Sequence, residues 1–209
     1  MKIEAYNIRK KYQENLVLNI NYISFKEGLI TGITGPNGSG KTTLLHILGG
    51  LDPNFEGRVL YDGRELNKEI LKDLTLVFQK PYLFKRSVFD NIAYPMVLRK
   101  ENPKTIKEGV KEISEILEIN DLLDKKGHQL SGGEGQKVAL ARAMIFKPKV
   151  LLLDEATSSL DPEAVKTIEE SIIKYNEKTS ATIIVITHDM EQSKRLCNEV
   201  VSLELGRVV

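Results

Sequence analysis

The chain has 209 residues, of which 28 % are charged and 41 % are hydrophobic, and its formal net charge at pH 7 is only +1. A chain of this length can bury a full core in one compact unit, and its balanced charge excludes a global basic field that would attract nucleic acid. The single cysteine, Cys197, excludes an intramolecular disulfide framework and fits a reducing compartment. The start of the chain has no apolar signal segment, and no apolar run reaches the roughly 18 residues that a spanning helix needs. We therefore expect a cytosolic protein that reaches a membrane only through a partner.

The first part of the chain is patterned as antiparallel strands. Between residues 2 and 25 apolar and polar side chains mostly alternate, which is typical of strands with one solvated face, and residues 57–61 add a further candidate strand. The pattern places Tyr12 in a polar loop between two such strands. From the pattern alone, Tyr12 is equally well interpreted as an ordinary half-exposed ring or as an aromatic that stacks on a nucleotide base.

A glycine-rich loop lies between a predicted buried strand at residues 29–34 and a predicted helix at residues 41–48. It matches the pattern G-x-x-x-x-G-K-[ST], in which glycines let backbone N–H groups converge on phosphate oxygens. The lysine adds a positive charge, the threonine offers a hydroxyl to Mg²⁺, and the helix N-terminus faces the same anion. This phosphate loop consists of Gly35, Pro36, Asn37, Gly38, Ser39, Gly40, Lys41, Thr42 and Thr43. It predicts nucleotide binding, and the flanking strand and helix disfavour a chance glycine-rich turn.

The middle of the chain changes to helical periodicity. From Pro81 to about Met144 no strong strand pattern is present, and Lys104–Glu118 carries apolar residues along one helical face. We interpret this segment as a helical insertion between strands. The predicted organisation is a single domain in which residues 1–80 and 145–209 form the α/β core and residues 81–144 form a helical subdomain.

Residues 74–78 predict a strand, and continuous apolar runs at residues 150–153 and 182–187 predict strands buried on both faces. Asp161 is predicted to cap the helix that joins the last two strands. Alternation of strands and helices implies a largely parallel sheet, in which ligands lie outside the carboxyl ends of the strands. Polar residues stand at or directly after these strand ends: Gln79, Asp154, Glu155 and His188.

The chemistry of phosphoryl transfer gives these residues candidate roles. Asp154 is suited to hold Mg²⁺ from the side opposite Thr42, and Glu155 to act as general base on a water molecule. Gln79 could hydrogen-bond both metal and water, and His188 could donate to the γ-phosphate. Each residue alone has an ordinary alternative, namely a solvated glutamine, an acidic helix cap or a structural histidine. Because all four residues are predicted at the same edge of the sheet, a functional site is the favoured interpretation.

A second glycine-containing segment, Leu130–Glu134, precedes an amphipathic run. Ser131 and Glu134 fit a capping box, which explains both residues without any ligand. The capping box does not explain why Gly132 and Gly133 are glycines. Because glycines at a helix N-terminus permit the close approach of an anion, the segment predicts a second anion-binding helix end, remote in sequence from the first.

With these motifs in this order, the chain resembles the ATP-binding subunit of ABC (ATP-binding cassette) transporters over essentially its whole length. The shared motifs are the phosphate loop, Gln79, the signature segment Leu130–Glu134, Asp154-Glu155, the turn Ser159-Leu160-Asp161 and His188. The resemblance implies an α/β fold: a P-loop NTPase core with a mostly parallel sheet, an N-terminal antiparallel β subdomain and an inserted helical subdomain. It implies that the chain binds ATP and Mg²⁺ and hydrolyses ATP.

The resemblance also implies partners. Two copies would pair head to tail, with each ATP held between the phosphate loop of one copy and Ser131–Gly133 of the other, which gives two equivalent sites. Tyr12 matches the base-stacking aromatic of the family, and the segment from Gln79 to about Arg99 matches the region that contacts transmembrane permease subunits. A solute-binding protein would be a further partner, and the chain would work at the cytoplasmic face of the membrane.

Some positions depart from the commonest family pattern. Glu134 replaces a glutamine, and Lys137 stands where arginine is common, which could weaken a bidentate contact. Ala156 stands where importers often have proline, and by itself it resembles the exporter pattern. The run Ser158–Pro162 and the lack of fused membrane segments instead resemble importer subunits. We expect an importer of a small polar solute, without the C-terminal regulatory domain of some importer ATPases, since the sequence ends at Val209.

Three alternatives remain open at this stage. The chain could be an exporter subunit, a soluble ABC ATPase acting in DNA repair or on ribosomes, or a P-loop kinase for a small metabolite. A soluble ATPase of this kind should show a coiled-coil insertion, a second cassette or a basic surface, and the sequence has none of these features. The signature segment disfavours the kinase.

Overall fold

A computed structural model of the chain describes residues 1–158 and 160–209. The strands are β1 (Ile3–Tyr12), β2 (Asn15–Phe25), β3 (Ile30–Thr34), β4 (Glu56–Tyr61), β5 (Arg64–Glu65), β6 (Leu74–Val77), β7 (Val150–Asp154), β8 (Thr182–Ile186), β9 (Glu199–Glu204) and β10 (Arg207–Val208). The α-helices are α1 (Lys41–Leu48), α2 (Lys68–Lys72), α3 (Val88–Leu98), α4 (Pro103–Ile116), α5 (Gly132–Met144), α6 (Pro162–Thr179) and α7 (Met190–Leu196). Two short 3₁₀ turns, Asn120–Leu122 and Gly127–Gln129, lie between α4 and α5.

The strands form two sheets. The smaller sheet is antiparallel, with strand order β2-β1-β4-β5. The larger sheet has the order β10-β9-β3-β8-β7-β6, and all of its pairings are parallel except the one between β10 and β9. The predicted fold class, an α/β core with an antiparallel N-terminal sheet and helices inserted between β6 and β7, is confirmed.

Each face of the larger sheet carries its own core. On one face, Leu151 and Ile183 belong to an apolar cluster that also contains residues of α3, α4, α5 and α6. On the other face, Leu152 and Ile184 belong to a cluster with α1 and the antiparallel sheet. All four side chains are fully buried. The strands are therefore covered on both sides, as continuous apolar runs predict.

Helix ends follow the local signals in the sequence. The Asp161 carboxylate accepts a hydrogen bond of 2.9 Å from the backbone N–H of Ala164 and caps α6, whose first residue is Pro162. Asn102 and Pro103 start α4 in the same way. Within residues 1–158 and 160–209, no helix is both long and apolar enough to cross a bilayer.

The observed bounds differ from the predicted ones in a few places. Tyr12 is the last residue of β1 and not part of a loop, because its pairing with Asn15 extends the hairpin. Asp154 belongs to β7 itself, since it pairs with Ile186 of the neighbouring strand. The proposed subdomain boundaries at residues 80 and 144 stay a prediction.

The hairpin between β9 and β10 supports the phosphate loop from behind. Its turn residue Gly206 donates a backbone hydrogen bond of 3.1 Å to the carbonyl of Ser39 and accepts one of 2.8 Å from Asn19. Gly206 has a φ of 75°, and an added Cβ would lie 2.3 Å from the carbonyl oxygen of Val17. A side chain therefore has no room at this turn.

We expect Gly206→Ala to lower the thermal midpoint and weaken ATP binding, because the new methyl group must push Val17 or the phosphate loop away. Gly63 is a matched control: it has the same φ of 75°, but an added Cβ there meets nothing within 4 Å. Gly63→Ala should cost only the left-handed backbone penalty of about 1–2 kcal/mol. For a chain of this size, each kcal/mol lowers the thermal midpoint by roughly 2–4 °C. Calorimetry and nucleotide titration check both variants, and equal losses for the two would contradict the steric explanation.

Candidate functional site

Four neighbouring strands deliver the predicted site residues to one edge. The strands β3, β8, β7 and β6 are adjacent and parallel, so their carboxyl ends lie side by side. The phosphate loop follows β3, His188 follows β8, and Gln79 follows β6, while Asp154 ends β7 with Glu155 directly after it. A cavity of about 690 Å³ at this edge is lined by residues 34–37, Glu155 and His188.

The phosphate loop is shaped by close backbone contacts. Gly35 has a φ of 137°, and an added Cβ would lie 2.0 Å from the carbonyl oxygen of Leu203. The Lys41 side chain is only 6 % exposed, and its Nζ donates hydrogen bonds of 2.9 Å to the carbonyl oxygens of Gly35 and Pro36. A buried ammonium group whose partners among the described residues are carbonyl oxygens is suited to a phosphate, because an anion would supply the missing negative charge.

Asp154 and Thr42 lie together at the start of α1. The Thr42 hydroxyl donates to Asp154 Oδ1 at 3.1 Å. Burial raises the pKa of the Asp154 carboxyl, and the hydrogen bond from Thr42 partly opposes this shift. In the described part of the chain, the buried Ser39 hydroxyl has no hydrogen-bond partner. Carboxylate and hydroxyl oxygens are hard ligands, so this pair fits Mg²⁺, and the free hydroxyl of Ser39 points to a ligand at the loop.

Gln79, Glu155 and His188 converge in front of the strands. Gln79 Nε2 donates to Glu155 Oε2 at 2.9 Å and to the hydroxyl of Ser158 at 3.0 Å. His188 Nδ1 lies 4.0 Å from the same Glu155 oxygen, which is beyond hydrogen-bond distance. The backbone of Glu155 is left-handed, with a φ of 46°, and such strain is frequent at functional sites. The three predicted residues are therefore brought together, although they come from three different strands.

The signature segment forms the start of α5. Ser131 and Glu134 form the predicted capping box at the start of α5, with Ser131 N donating to Glu134 Oε2 at 2.7 Å. That backbone hydrogen bond, with help from Lys125, lowers the pKa of the Glu134 carboxyl. Cβ atoms added at Gly132 and Gly133 would face Leu160 and Ala164 at 3.9 and 3.2 Å. The neighbours of the signature glycines thus lie around the start of α6, not in the phosphate loop.

Tyr12 is held at the end of β1 by two charged residues. Its hydroxyl donates to Asp52 Oδ2 at 2.9 Å, and Lys10 Nζ lies 4.7 Å from the ring centroid. Lys10 also pairs with Asp52 at 2.6 Å. The ring is about half exposed. It is therefore fixed in place with surface left to accept a flat partner.

The segment that follows Glu155 contains one predicted feature and one residue that was not predicted. The predicted turn Ser159-Leu160-Asp161 lies partly outside the described residues, because Ser159 is not among them. Ser158, which accepts from Gln79, was missed by the sequence reasoning. Ser158 was considered only as part of the run Ser158–Pro162, and its position three residues after Glu155 is the signal that could have placed it at the site.

The fold and site together define an ATP-binding cassette. The sequence profile of the family described as ABC transporter matches residues 18–158. The chain belongs to this family, and its activity is ATP hydrolysis coupled to transport.

Several relatives and solved structures are similar to the chain. A tungstate uptake system ATP-binding protein, TupC, from Peptoclostridium acidaminophilum is 52 % identical over 208 residues, which cover 100 % of this chain and 97 % of the relative. The methionine import ATP-binding protein MetN from Clostridioides difficile (strain 630) is 39 % identical, over 99 % of this chain and 67 % of the relative.

Among solved structures, cbiO1 from Clostridium perfringens, part of the ABC transporter complex cbiONQ, superimposes with a TM-score of 0.91 at 30 % identity. It is matched over 99 % of this chain and 86 % of its own. The dimeric bacterial cassette MJ0796 has a TM-score of 0.88 at 30 % identity, over 99 % of this chain and 96 % of its own. The predicted family is thereby confirmed, and the predicted pairing of two copies agrees with the dimeric state named for MJ0796.

We expect Asp154→Asn to stabilise the nucleotide-free protein while abolishing Mg²⁺-dependent turnover. The raised pKa means that ionised Asp154 costs folding free energy, and this cost grows as pH rises from the unfolded value of about 3.9 to the raised folded value. The variant should therefore exceed the wild-type thermal midpoint at pH 8, and the difference should shrink at acid pH.

Glu112→Gln is the control of opposite sign. The pKa of Glu112 is lowered by Lys178 and Lys147, so the ionised form stabilises the fold at pH 8 and its loss should lower the midpoint. Calorimetry across pH 5–8, without nucleotide or Mg²⁺, measures both variants. A lower midpoint for Asp154→Asn at pH 8 would contradict the burial argument.

Proposed function

We propose that this chain is the ATPase subunit of an importer for a tetrahedral oxyanion of the tungstate class, working at the cytoplasmic face of the membrane. The observation that carries the proposal is the 52 % identity to the tungstate uptake protein over nearly the full length of both chains. The methionine import relatives are less similar, at 39 % or below. The exporter alternative suggested by Ala156 loses support, because both of these groups of relatives are named for uptake or import.

Nucleotide binding begins at the phosphate loop. The backbone N–H groups of residues 35–43 and the ammonium of Lys41 hold the phosphates, and the ammonium exchanges its contacts with Gly35 and Pro36 for phosphate oxygens. Tyr12 stacks on the adenine, with Lys10 and Asp52 fixing the ring.

Thr42, Asp154 and Gln79 are the residues that would hold Mg²⁺. Only one of the three carries a charge, which fits an ion that shares its coordination with substrate phosphates. When bound, Mg²⁺ neutralises charge on the β- and γ-phosphates.

Glu155 is the proposed general base. It takes a proton from a water molecule as the water oxygen bonds to the γ-phosphorus, and the bond from that phosphorus to the bridging β–γ oxygen breaks to leave ADP. Gln79 orients the carboxylate through its 2.9 Å hydrogen bond. His188 donates to the γ-phosphate. The proton on Glu155 then passes to the released phosphate or to solvent.

The second copy supplies the other half of each site. Because Gly132 and Gly133 sit near the start of α6 in their own chain, we assign Ser131–Gly133 to the γ-phosphate bound by the partner. Asp161, which caps α6 beside them, lies at the same interface. Closure on ATP and reopening after hydrolysis would then follow from the contacts that ATP alone makes with both copies.

The permease docks in an aromatic groove next to the site. This groove has a volume of about 450 Å³, and its walls include Tyr82, Phe84, Tyr94, Leu98 and Phe146. Tyr82 is 79 % exposed, which is unusual for a large aromatic unless a partner covers it. Since Gln79 immediately precedes this groove, a change at the γ-phosphate can reach the membrane subunit through a few residues.

We expect Glu155→Gln to bind ATP normally and to accumulate as a dimer, with turnover reduced roughly 10²–10⁴-fold because the general base is lost. Adding Ser131→Arg should return the protein to monomers in ATP, since a bulky cation would occupy the anion-binding helix end. Sedimentation and nucleotide titration measure both effects.

Ser87→Arg is the matched control, because Ser87 caps α3 with a 3.0 Å hydrogen bond from Asp90 N in the same manner. This variant loses a cap but should still form the dimer in the Glu155→Gln background. An unaltered dimer in the Ser131→Arg variant would refute the shared site.

Transport is tested in cells from which the gene for this chain has been deleted, and the readout is the amount of metal oxyanion that the cells take up. We expect the intact gene to restore tungstate uptake, detected by mass spectrometry of the metal, and Glu155→Gln to leave uptake at the background level. Radiolabelled methionine is the control solute and should be unaffected. Restored methionine uptake with unchanged tungstate would overturn the assignment of the solute while leaving the ATPase mechanism intact.

A further inference from the structure

A buried carboxylate connects the two helices behind the proposed catalytic residues. Glu169 of α6 is only 5 % exposed. Arg195 of α7 binds it with two adjacent donors of its guanidinium, Nε to Oε2 at 2.9 Å and Nη2 to Oε1 at 2.8 Å. A bidentate pair of this kind fixes orientation as well as distance. It therefore holds α7 in one register on α6.

Gln192 extends this pair to the loop that carries Glu155. Gln192 is also buried, and its Nε2 lies 3.1 Å from Glu169 Oε1 and 2.8 Å from the hydroxyl of Thr157. Thr157 is two residues after Glu155. The three elements α6, α7 and the Glu155 loop are thus joined by a continuous polar network, which consists of Glu169, Arg195, Gln192 and Thr157.

The same network is connected to His188. Asp189, the residue after His188, caps α7 by accepting hydrogen bonds from Glu191 N and Gln192 N at 2.8 and 3.1 Å. His188 therefore directly precedes the N-cap of α7, and Gln192 is the third residue of that helix. Because His188 precedes α7 and Glu155 precedes Thr157, the link between Gln192 and Thr157 lies close to the 4.0 Å separation between His188 Nδ1 and Glu155 Oε2.

Stability alone is a weak reason for this arrangement. Only the Glu169 end of the pair is buried, since the Arg195 side chain is about half exposed. Burying a carboxylate costs desolvation, and well-packed apolar side chains of similar volume often serve a core equally well. What apolar packing does not supply is a directional link between Gln192 and Thr157. We infer that Thr157 and Gln192, anchored by Glu169 and Arg195, are positioning residues that set the geometry between His188 and the general base Glu155; this inference rests on the roles proposed for those two residues.

The test compares two substitutions at one position. Thr157→Val removes the hydroxyl at nearly constant volume, and Thr157→Ser keeps it. We expect kcat for ATP hydrolysis to fall roughly tenfold in Thr157→Val, as small misplacements of catalytic groups do. The KM for ATP and the affinity for a fluorescent ATP analogue should stay within about twofold of wild type, because the phosphate loop is untouched. Thr157→Ser should regain most of the lost kcat.

Thr167→Val is the matched control, since among the residues that the structure describes the Thr167 hydroxyl bonds only within its own helix, to the carbonyl of Glu163 at 3.0 Å. It should hydrolyse ATP at the wild-type rate. Gln192→Met removes the amide at similar volume and tests the same link from its other side. Its kcat should fall as much as that of Thr157→Val. Normal kcat in both Thr157→Val and Gln192→Met, or a loss in Thr157→Ser equal to that in Thr157→Val, overturns the inference.

His188→Ala separates this inference from the proposed function. If His188→Ala is impaired while Thr157→Val is normal, the network has no positioning role and the proposed role of His188 stands. If His188→Ala turns over at the wild-type rate, the role of His188 itself is wrong, and the network has nothing to position.

Discussion

Two opposite charges are buried at the edge of the larger sheet, and much of the site depends on them. Lys41 and Asp154 are each only 6 % exposed, and the partners of their side chains within residues 1–158 and 160–209 are two carbonyl oxygens and one hydroxyl. Removing ions from water is costly unless they are fully paired. Phosphates and a divalent cation would complete both sets of contacts, so folding leaves a site that is more favourable when filled. The raised pKa of Asp154 has the same origin.

The larger sheet can bear this cost because both of its faces are covered. The antiparallel sheet and α1 cover one face, and α3 to α6 cover the other. Burial of apolar side chains on both sides is the dominant stabilising contribution, and it holds the carboxyl ends of four strands in a fixed order. A carboxylate at the end of β7 can then stay in an unfavourable setting without disturbing the fold. In this sense the core supports the strained and charged residues at its edge.

Short connections join the nucleotide site to three other parts of the molecule, namely the aromatic groove, the signature segment and α7. Gln79 contacts Glu155 and directly precedes the aromatic groove assigned to the permease. The signature segment starts α5, whose other residues pack in the same cluster as α6. The polar network around Glu169 joins α6 and α7 to the Glu155 loop. Each connection is a small set of contacts at the rim of a rigid sheet, where a ligand can bias one arrangement over another.

By itself, the sequence determined the local conformations and the family. Glycine spacing, helix caps such as Asp161 and buried apolar runs report on neighbouring residues along the chain, and those signals were sufficient for the phosphate loop, most of the strands and the candidate site residues. The order of the strands, the left-handed backbone of Glu155, the hydrogen bond between Thr42 and Asp154, and the link from Glu169 to Thr157 were decided only by the tertiary structure. The physical reason is that these features join residues far apart in sequence, where packing of the whole chain, and not local periodicity, selects the partners.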